Sequence, residues 1–515
     1  MQDSLDAQDS LDAQDRRDTQ DRGDMQDHRG EKNGLANQAN PEEEAYQAAL
    51  QFLKNLTKFG INLGLSRIQT LLGRLGNPED SLKIIHIGGT NGKGSTAAML
   101  QSILQEAGFK VGLFTSPHLH SYRERIRING ELISKAEVVR CLQEMRPVLE
   151  ALVAEGVEHP TEFEVSTALA LYYFARVKPD FVILEVGLGG AIDSTNVVTP
   201  LITVLTSIGM DHMDYLGNTL EEIARVKAGI IKEGVPVVTS AEKPAALQVI
   251  EEEAFRKKAG LIKVGQDVRW QSKKKVGQNI YWQRKKIEGN PLKDLDSQNV
   301  SGDPRAANIF NYYGLGQNYE DLELSLIGKH QLSNACTALA VCELLKSDYH
   351  TEISEKAIRE GLRKVRWPGR LELICREPKI LLDGAHNVDG MRSLAQALKD
   401  YAGSLLQRER LFLCLGMLQD KEITEAVEVI APLAVEIVVT KPDSPRAQNW
   451  QEVALLAQKY LPKDKIFKVE DPLEALEKML ARVGPKDMLL VAGSLYLIAP
   501  LRQYLLKNVL PRLRK

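Results

Sequence analysis

The residues best suited to chemistry begin at position 88. Gly88-Gly89-Thr90-Asn91-Gly92-Lys93-Gly94-Ser95-Thr96 follows an apolar run and precedes a helical pattern. Strand, glycine-rich turn and helix together form the setting in which backbone N–H groups curl around phosphate oxygens. Lys93 would neutralise β- and γ-phosphate charge, and a hydroxyl would reach Mg2+. The spacing is not the common G-x-x-x-x-G-K-[ST]. Ile87 stands where the first glycine would be, and Gly94 separates Lys93 from Ser95. A turn that binds nothing is the plainer reading, and both flanks weigh against it. Glu185 lies in the apolar stretch 181–190, which ends Gly187-Leu188-Gly189-Gly190. A carboxylate there is costly to bury unpaired, so it is salt-bridged or a ligand. His212 follows the apolar run 201–206 and reads alone as a packed or surface residue. Lys227 reads alone as a solvated charge. Glu185 and His212 could share the carboxyl edge of one parallel sheet, where α/β proteins place ligands. Asp383-Gly384-Ala385-His386-Asn387 follows the apolar run 379–382, and Asp383 could simply cap the next helix.

The elements that must position these groups can be read from the same pattern. Apolar runs at 83–87, 111–114, 181–186 and 201–206 read as buried strands. Helical stretches lie at 45–58, 95–108, 134–155, 162–176, 331–346 and 353–363. Asn129-Gly130 between 125–128 and 131–133 suits a type I′ hairpin. Val365-Arg366-Trp367-Pro368-Gly369-Arg370 interrupts regular structure and marks a junction. Beyond it, strands near 379–382, 411–415, 435–439 and 488–492 alternate with helices. The expectation is an α/β protein: a P-loop ATPase-like, mostly parallel sheet domain over 45–364, then a smaller Rossmann-like α/β domain over 365–515. The polar stretch 270–320 is expected to be an insertion or long hairpin at the edge.

Composition narrows the class. The chain has 515 residues, with 43% hydrophobic and 26% charged, which is ordinary for a multidomain globular protein. No run approaches the ~18 apolar residues of a membrane span, and no basic-then-apolar leader is visible. Five scattered cysteines without a C-x-x-C pair fit free thiols in a reducing cytoplasm. Residues 1–44 hold 13 acidic and 5 basic side chains, with Asp at every third position from Asp3 to Asp27. A period of three gives a helix no apolar face, so this tail is expected to be disordered, with Met25 as an internal alternative start. The remainder is mildly basic, too little to argue for nucleic acid but suited to small polyanions.

Taken in order, these segments resemble the folate branch of the Mur ligase superfamily, the bifunctional dihydrofolate synthase/folylpolyglutamate synthases. Further family-like blocks are Thr115-Ser116-Pro117-His118-Leu119, Thr161-Glu162-Phe163-Glu164, Trp367-Pro368-Gly369-Arg370 and Gly493-Ser494-Leu495-Tyr496. The phosphate loop with glycine after its lysine is itself the folate-branch form. The resemblance implies ATP-dependent addition of L-glutamate to dihydropteroate and to reduced folates through an acyl phosphate, by a cytoplasmic monomer using Mg2+. It implies that Gly89, Thr90, Asn91, Gly92, Lys93, Gly94, Ser95, Asn334, Arg370 and Asp383 touch ATP. Ser116, Glu185, His212 and a carbamylated Lys227 would hold metal, with Lys93, His212 and Lys227 catalytic. The substrates would meet Asn62, Leu63, Gly64, Thr161, Glu162, Phe163, Glu164, Ile192, Asp193, Ser194, His386 and Ser494. Ala191 and Asn62 depart from the pattern of many relatives and bear on substrate range. A monofunctional folylpolyglutamate synthase and a P-loop regulatory NTPase are the alternatives.

Overall fold

The computed structural model describes residues 41–60, 64–273 and 307–513. The expectations for the tail before residue 41, for Asn62 and Leu63, and for 274–306 lie outside the described residues. Residues from Glu42 onward form one compact unit.

Eight strands make the first sheet: β1 (Ile84–Gly88), β2 (Val111–Phe114), β3 (Ile126–Ile128), β4 (Glu131–Leu132), β5 (Phe181–Glu185), β6 (Ile202–Leu205), β7 (Val237–Thr239) and β8 (Leu261–Lys263). Their order is β4-β3-β2-β5-β1-β6-β7-β8. The strands from β2 to β8 in that order pair in parallel, and the β3–β4 hairpin adds an antiparallel edge. Its turn residues Asn129 and Gly130 have φ of 50° and 81°, as a type I′ turn requires. Helices cover both faces of the sheet, so β1, β2, β5 and β6 are buried at every position. This is why they read as unbroken apolar runs. On one face pack the helices Lys93–Glu106, His330–Tyr349 and Glu355–Lys364, and on the other Lys135–Ala154 and Glu162–Val177.

Two expectations need correction. The first helix begins at Pro41 and not at 45. Proline suits the first helical position, and Glu42, Glu43 and Glu44 face the positive end of the helix dipole. Glu43 also pairs with Lys135 at 2.6 Å. The described parts of 270–320 have the antiparallel pairing of the expected hairpin, but they do not lie at the edge of the first sheet. Strands β9 (Arg269–Ser272), β10 (Asn308–Tyr313) and β11 (Asn318–Leu324) form their own antiparallel sheet. Alternate residues Phe310, Tyr312, Leu322 and Leu324 join the main core with no exposure at all. At roughly 1.5–3 kcal/mol for each large apolar side chain, that burial holds β10 and β11 in place.

The second sheet holds β12 (Glu372–Arg376), β13 (Lys379–Asp383), β14 (Leu411–Leu415), β15 (Glu436–Val439), β16 (Ile466–Lys468) and β17 (Met488–Ala492), in the order β12-β13-β17-β14-β15-β16. Only the edge strand β12 is antiparallel. The fold is therefore α/β, with a large, mainly parallel sheet and a smaller, Rossmann-like one. Leu119, from the loop after β2, packs into the core of the second sheet.

Candidate active site

The phosphate loop leaves β1 and enters the helix Lys93–Glu106. It is pinned from one side by the loop after β6. The Thr90 hydroxyl donates to the Gly209 carbonyl at 3.1 Å and accepts the Gly209 N–H at 3.0 Å, and the Ser207 hydroxyl donates to the Asn91 carbonyl at 3.0 Å. Lys93 donates to the carbonyls of Gly89 and Thr90 at 2.9 and 3.1 Å. Burial lowers its pKa, while the Glu185 and Asp211 carboxylates oppose that shift. The glycine after Lys93 has a steric cause. A Cβ on Gly94 would lie 2.9 Å from the ring of Trp367, which comes from the junction and lies under the Arg127 guanidinium. Sequence alone identifies the unusual spacing; the packing explains it.

Ser116, Glu185, His212 and Lys227 all reach the cleft beside this loop. Glu185 ends β5 and is buried, and its carboxylate accepts the Ser116 N–H at 3.2 Å. Burial pushes its pKa up to about 7, against the pull of Lys93. His212 sits in a left-handed conformation, with φ of 54°, ahead of a short helix. Burial holds its imidazole down at about 4 despite the Asp211 carboxylate, so it is a neutral donor of lone-pair density. Lys227, on the helix Leu220–Ala228, is only 4% exposed. Its amine donates to the Gly89 carbonyl at 3.1 Å. Burial, then the Lys93 ammonium, lowers its pKa to about 7. Gly190 lets its helix come close, because a Cβ there would meet the Lys227 and Val226 carbonyls at 2.7 Å.

These residues fit a hard divalent cation in part. A buried carboxylate with a raised pKa and a neutral imidazole are suitable donors. Among the described residues, however, no group of three or more His, Cys, Asp or Glu side chains is placed to hold a metal. Magnesium is commonly held by one or two protein oxygens, with water and substrate phosphates completing its shell, so the short donor set matches that ion better than zinc.

The second sheet supplies the opposite wall. Arg370, Asp383 and His386 line the cleft, and Asn334, His330 and Gln331 line it from the helix His330–Tyr349. Asp383 accepts the N–H groups of Leu371 and Ala385 at 2.8 and 2.9 Å. Burial raises its pKa, and the Arg370 guanidinium pulls it back. Asn91 and Asn387 exchange side-chain hydrogen bonds across the seam at 3.1 and 3.2 Å. Asp211 is the hub there. It accepts from Lys421 at 2.6 Å and Asn387 at 2.9 Å, with His386 at 3.6 Å. Burial alone would raise its pKa, but the contacts from His386 and Lys421 hold the carboxyl well below the usual range. Sequence reasoning missed Lys421, His330 and Gln331. Lys421 follows the carboxyl end of β14, and that position was its one available signal.

Other expected site residues have more local duties. Thr161 and Glu164 close a reciprocal capping box on the helix Glu162–Val177, and Glu164 also accepts from buried Arg67 at 3.2 Å. Glu162 accepts from Arg125 at 3.0 Å, and Phe163 packs against Gly187. Asp193 and Ser194 are buried beneath the turn after β5, beside Ile192. Ser494 caps the helix Leu495–Tyr504, whose first residue lines the cleft. Gly64 precedes the helix Ser66–Arg74.

A phosphate-type loop on one sheet, facing a second sheet across a polar cleft, is the arrangement of a two-module Mur ligase. The model of the Mur ligase middle domain matches residues 87–342, and that of the Mur ligase glutamate ligase domain matches 369–495. A dihydrofolate synthase/folylpolyglutamate synthase of Bacillus subtilis is 40% identical over 90% of this chain and 99% of its own length. The crystal structure of a folylpolyglutamate synthase from Thermotoga maritima is 36% identical, with a TM-score of 0.72 over 91% of this chain and 98% of that one. The Mycobacterium tuberculosis folylpolyglutamate synthase complexed with ADP is 29% identical, with a TM-score of 0.78 over 91% and 99%. The chain belongs to the dihydrofolate synthase/folylpolyglutamate synthase family of ATP-dependent ligases. A regulatory NTPase is thereby replaced by a ligase. Among the described residues no helix is long and apolar enough to cross a membrane.

Proposed function

We propose that this chain joins L-glutamate to a pterin-bearing carboxylic acid, using dihydropteroate and reduced folyl-glutamates alike, and that it works in the cytoplasm. The observation that carries the reading is the meeting of Lys93, Glu185, His212 and Lys227 from one sheet with Arg370, Asp383 and His386 from the other at a single cleft. A carboxylate is a poor electrophile. Transfer of the γ-phosphoryl group of ATP to its oxygen, with ADP leaving, gives an acyl phosphate. The glutamate amine then attacks the acyl carbon, loses a proton, and phosphate departs.

Each residue has a physical task in this scheme. The N–H groups of the loop 89–95 cradle the phosphates, and Lys93 turns from the Gly89 and Thr90 carbonyls to the transferring oxygens. Arg370 adds charge from the second sheet. Glu185, His212 and Ser116 would hold Mg2+, which offsets the crowding of anions. Lys227 supports the same site as a carbamate. Its buried amine has one carbonyl partner and cationic neighbours, a setting that favours the neutral form that reacts with CO2 and then the anionic product. The pterin-bearing acid lies along the turn 187–194 and Gly64. His386 is available to the carboxylates of glutamate, and Lys421 holds Asp211 beside it. Closure of the cleft over bound substrates would keep water from the acyl phosphate. In this reading residues 45–364 form the ATP-binding domain and 365–515 the second domain.

The test is glutamate-dependent phosphate release with dihydropteroate and, separately, with a reduced folate. Release with both is expected. Release with the reduced folate alone would make the chain a monofunctional folylpolyglutamate synthase, and release with neither would remove the reading.

A further inference from the structure

His86 is the polar exception inside β1, with no exposure and apolar neighbours on the same strand. Its Nε2 lies 2.8 Å from the hydroxyl of Thr195, and its Nδ1 has no partner among the described residues. The Thr195 hydroxyl lies 2.5 Å from Asp193 Oδ1. Asp193 also accepts the Thr195 N–H at 2.9 Å through Oδ1 and the Leu188 N–H at 2.7 Å through Oδ2.

The direction of this chain of hydrogen bonds follows from proton counting. Burial raises the Asp193 pKa, but backbone donors face both of its oxygens and favour the carboxylate over the acid. The Thr195 hydroxyl has one proton and gives it to Asp193. It must therefore accept from His86, which fixes the Nε2–H tautomer and leaves Nδ1 bare. The reverse direction would leave an Nδ1–H buried with no acceptor and would need a protonated Asp193 whose oxygens both face N–H groups. The chain of bonds begins three residues before the phosphate loop and ends on the turn that follows Glu185. That turn lines the cleft and lies against the backbone at Lys227.

We propose that His86 is a positioning residue: through Thr195 it fixes the Asp193 carboxylate, and with it the turn 187–190 that forms the acid-substrate wall of the cleft. The part concerning the wall rests on the placement of the pterin-bearing acid proposed above. Burial, the largest influence, and then the Lys232 ammonium hold the His86 imidazole near 3, in keeping with a neutral ring.

The test has two arms on the full chain. In the first, 15N-histidine NMR should place one imidazole in the Nε2–H tautomer, unchanged from pH 5.5 to 8.5, and that signal should vanish in His86→Asn and shift in Thr195→Val. An Nδ1–H or doubly protonated His86 would overturn the proposal. In the second, Thr195→Val, which removes the hydroxyl at nearly constant volume, should raise KM for the folate substrate about five- to tenfold and leave KM for ATP within twofold. Thr195→Ser should restore both to within twofold of wild type. Wild-type constants in Thr195→Val would overturn the positioning role. The expected tautomer with a rise in KM for ATP alone would keep the relay and remove the proposed place of the folate. If Thr195→Val gives no cooperative melt, the wild-type tautomer alone decides.

Discussion

Lys227 and Glu436 are both buried, 4% and 7% exposed, and both are ionised in water. Glu436 opens β15 and is surrounded by partners. Arg482 grips both of its oxygens, and Lys465 donates at 3.0 Å. The Arg482 hydrogen bond leads the causes that draw its pKa down to about 2, so it stays charged. Lys227 has one backbone carbonyl, and burial first, then the Lys93 ammonium, lowers its pKa to about 7 against the pull of the Asp211 and Asp193 carboxylates. The same contrast separates Glu185, pushed up to about 7, from Asp487, held low by Arg410. Charges that only support the fold are satisfied by the protein. Lys227 and Glu185 at the cleft are left short of partners that substrates or ions can supply, while Asp211 beside them is already paired.

The contrast breaks most visibly at Lys227. Lys227→Met is expected to lower kcat by about a thousandfold or more, the scale on which enzymes lose a group acting on the transition state. It should not lower Tm. A lysine whose folded pKa is depressed costs stability, fully below the folded value near 7 and not at all above the unfolded value near 10.4. In enzyme freed of CO2 and metal, where the amine is bare, the variant should therefore gain most at pH 6 and progressively less as pH rises towards about 10.4. A melting temperature several degrees below wild type at pH 6 would show that the amine is structural.

Asp211→Asn tests the opposite case. It leaves Lys421, itself nearly buried, with only Asp420 at 3.7 Å. Breaking a buried pair costs about 3 kcal/mol, which urea titration would resolve. Because the Asp211 pKa is depressed, its contribution is present above the unfolded carboxylate value near 3.9 and lost as pH falls below it. Equal losses at pH 7 and pH 3 would exclude the pair as the cause. Gly94→Ala should raise KM for ATP about tenfold through overpacking on Trp367 worth roughly 1–2 kcal/mol, and Trp367→Leu in the same chain should recover part of it.

Glu436→Gln is the quieter counterpart. Its partners are partly exposed, so the expected loss is about 1 kcal/mol at pH 7. The loss should shrink as pH drops from the unfolded value near 4.3 towards 2, with kinetic constants unchanged. Smallest of all, removing residues 1–40 should leave kcat/KM and Tm as they are, since Asp at every third position offers no apolar face.

How far this contrast could be read beforehand depended on distance along the chain. Fully buried parallel strands show as apolar runs, so β1, β2, β5 and β6 and their polar ends were legible, and with them the phosphate loop, Glu185 and His212. Strands β7 and β8, three residues each, are too short for periodicity to mark. Lys421 was invisible because its partner lies 210 residues away. Thr161 and Glu164 carry the T-x-x-E capping signature in plain view, whereas Arg67, the further partner of Glu164, lies 97 residues away. Nothing in sequence spacing connects His86 with Thr195, since strand order alone brings them together.

Trp367, one of four tryptophans, lies against the turn that follows Lys93, with a guanidinium over its ring. An indole held there is an optical gauge built into the seam. Its emission should respond to the field and packing of the phosphate loop, so nucleotide loading is expected to show as a change in intrinsic fluorescence without a label. Trp450 is buried in the second sheet's core, so comparison with Trp367→Phe would isolate the signal of the seam.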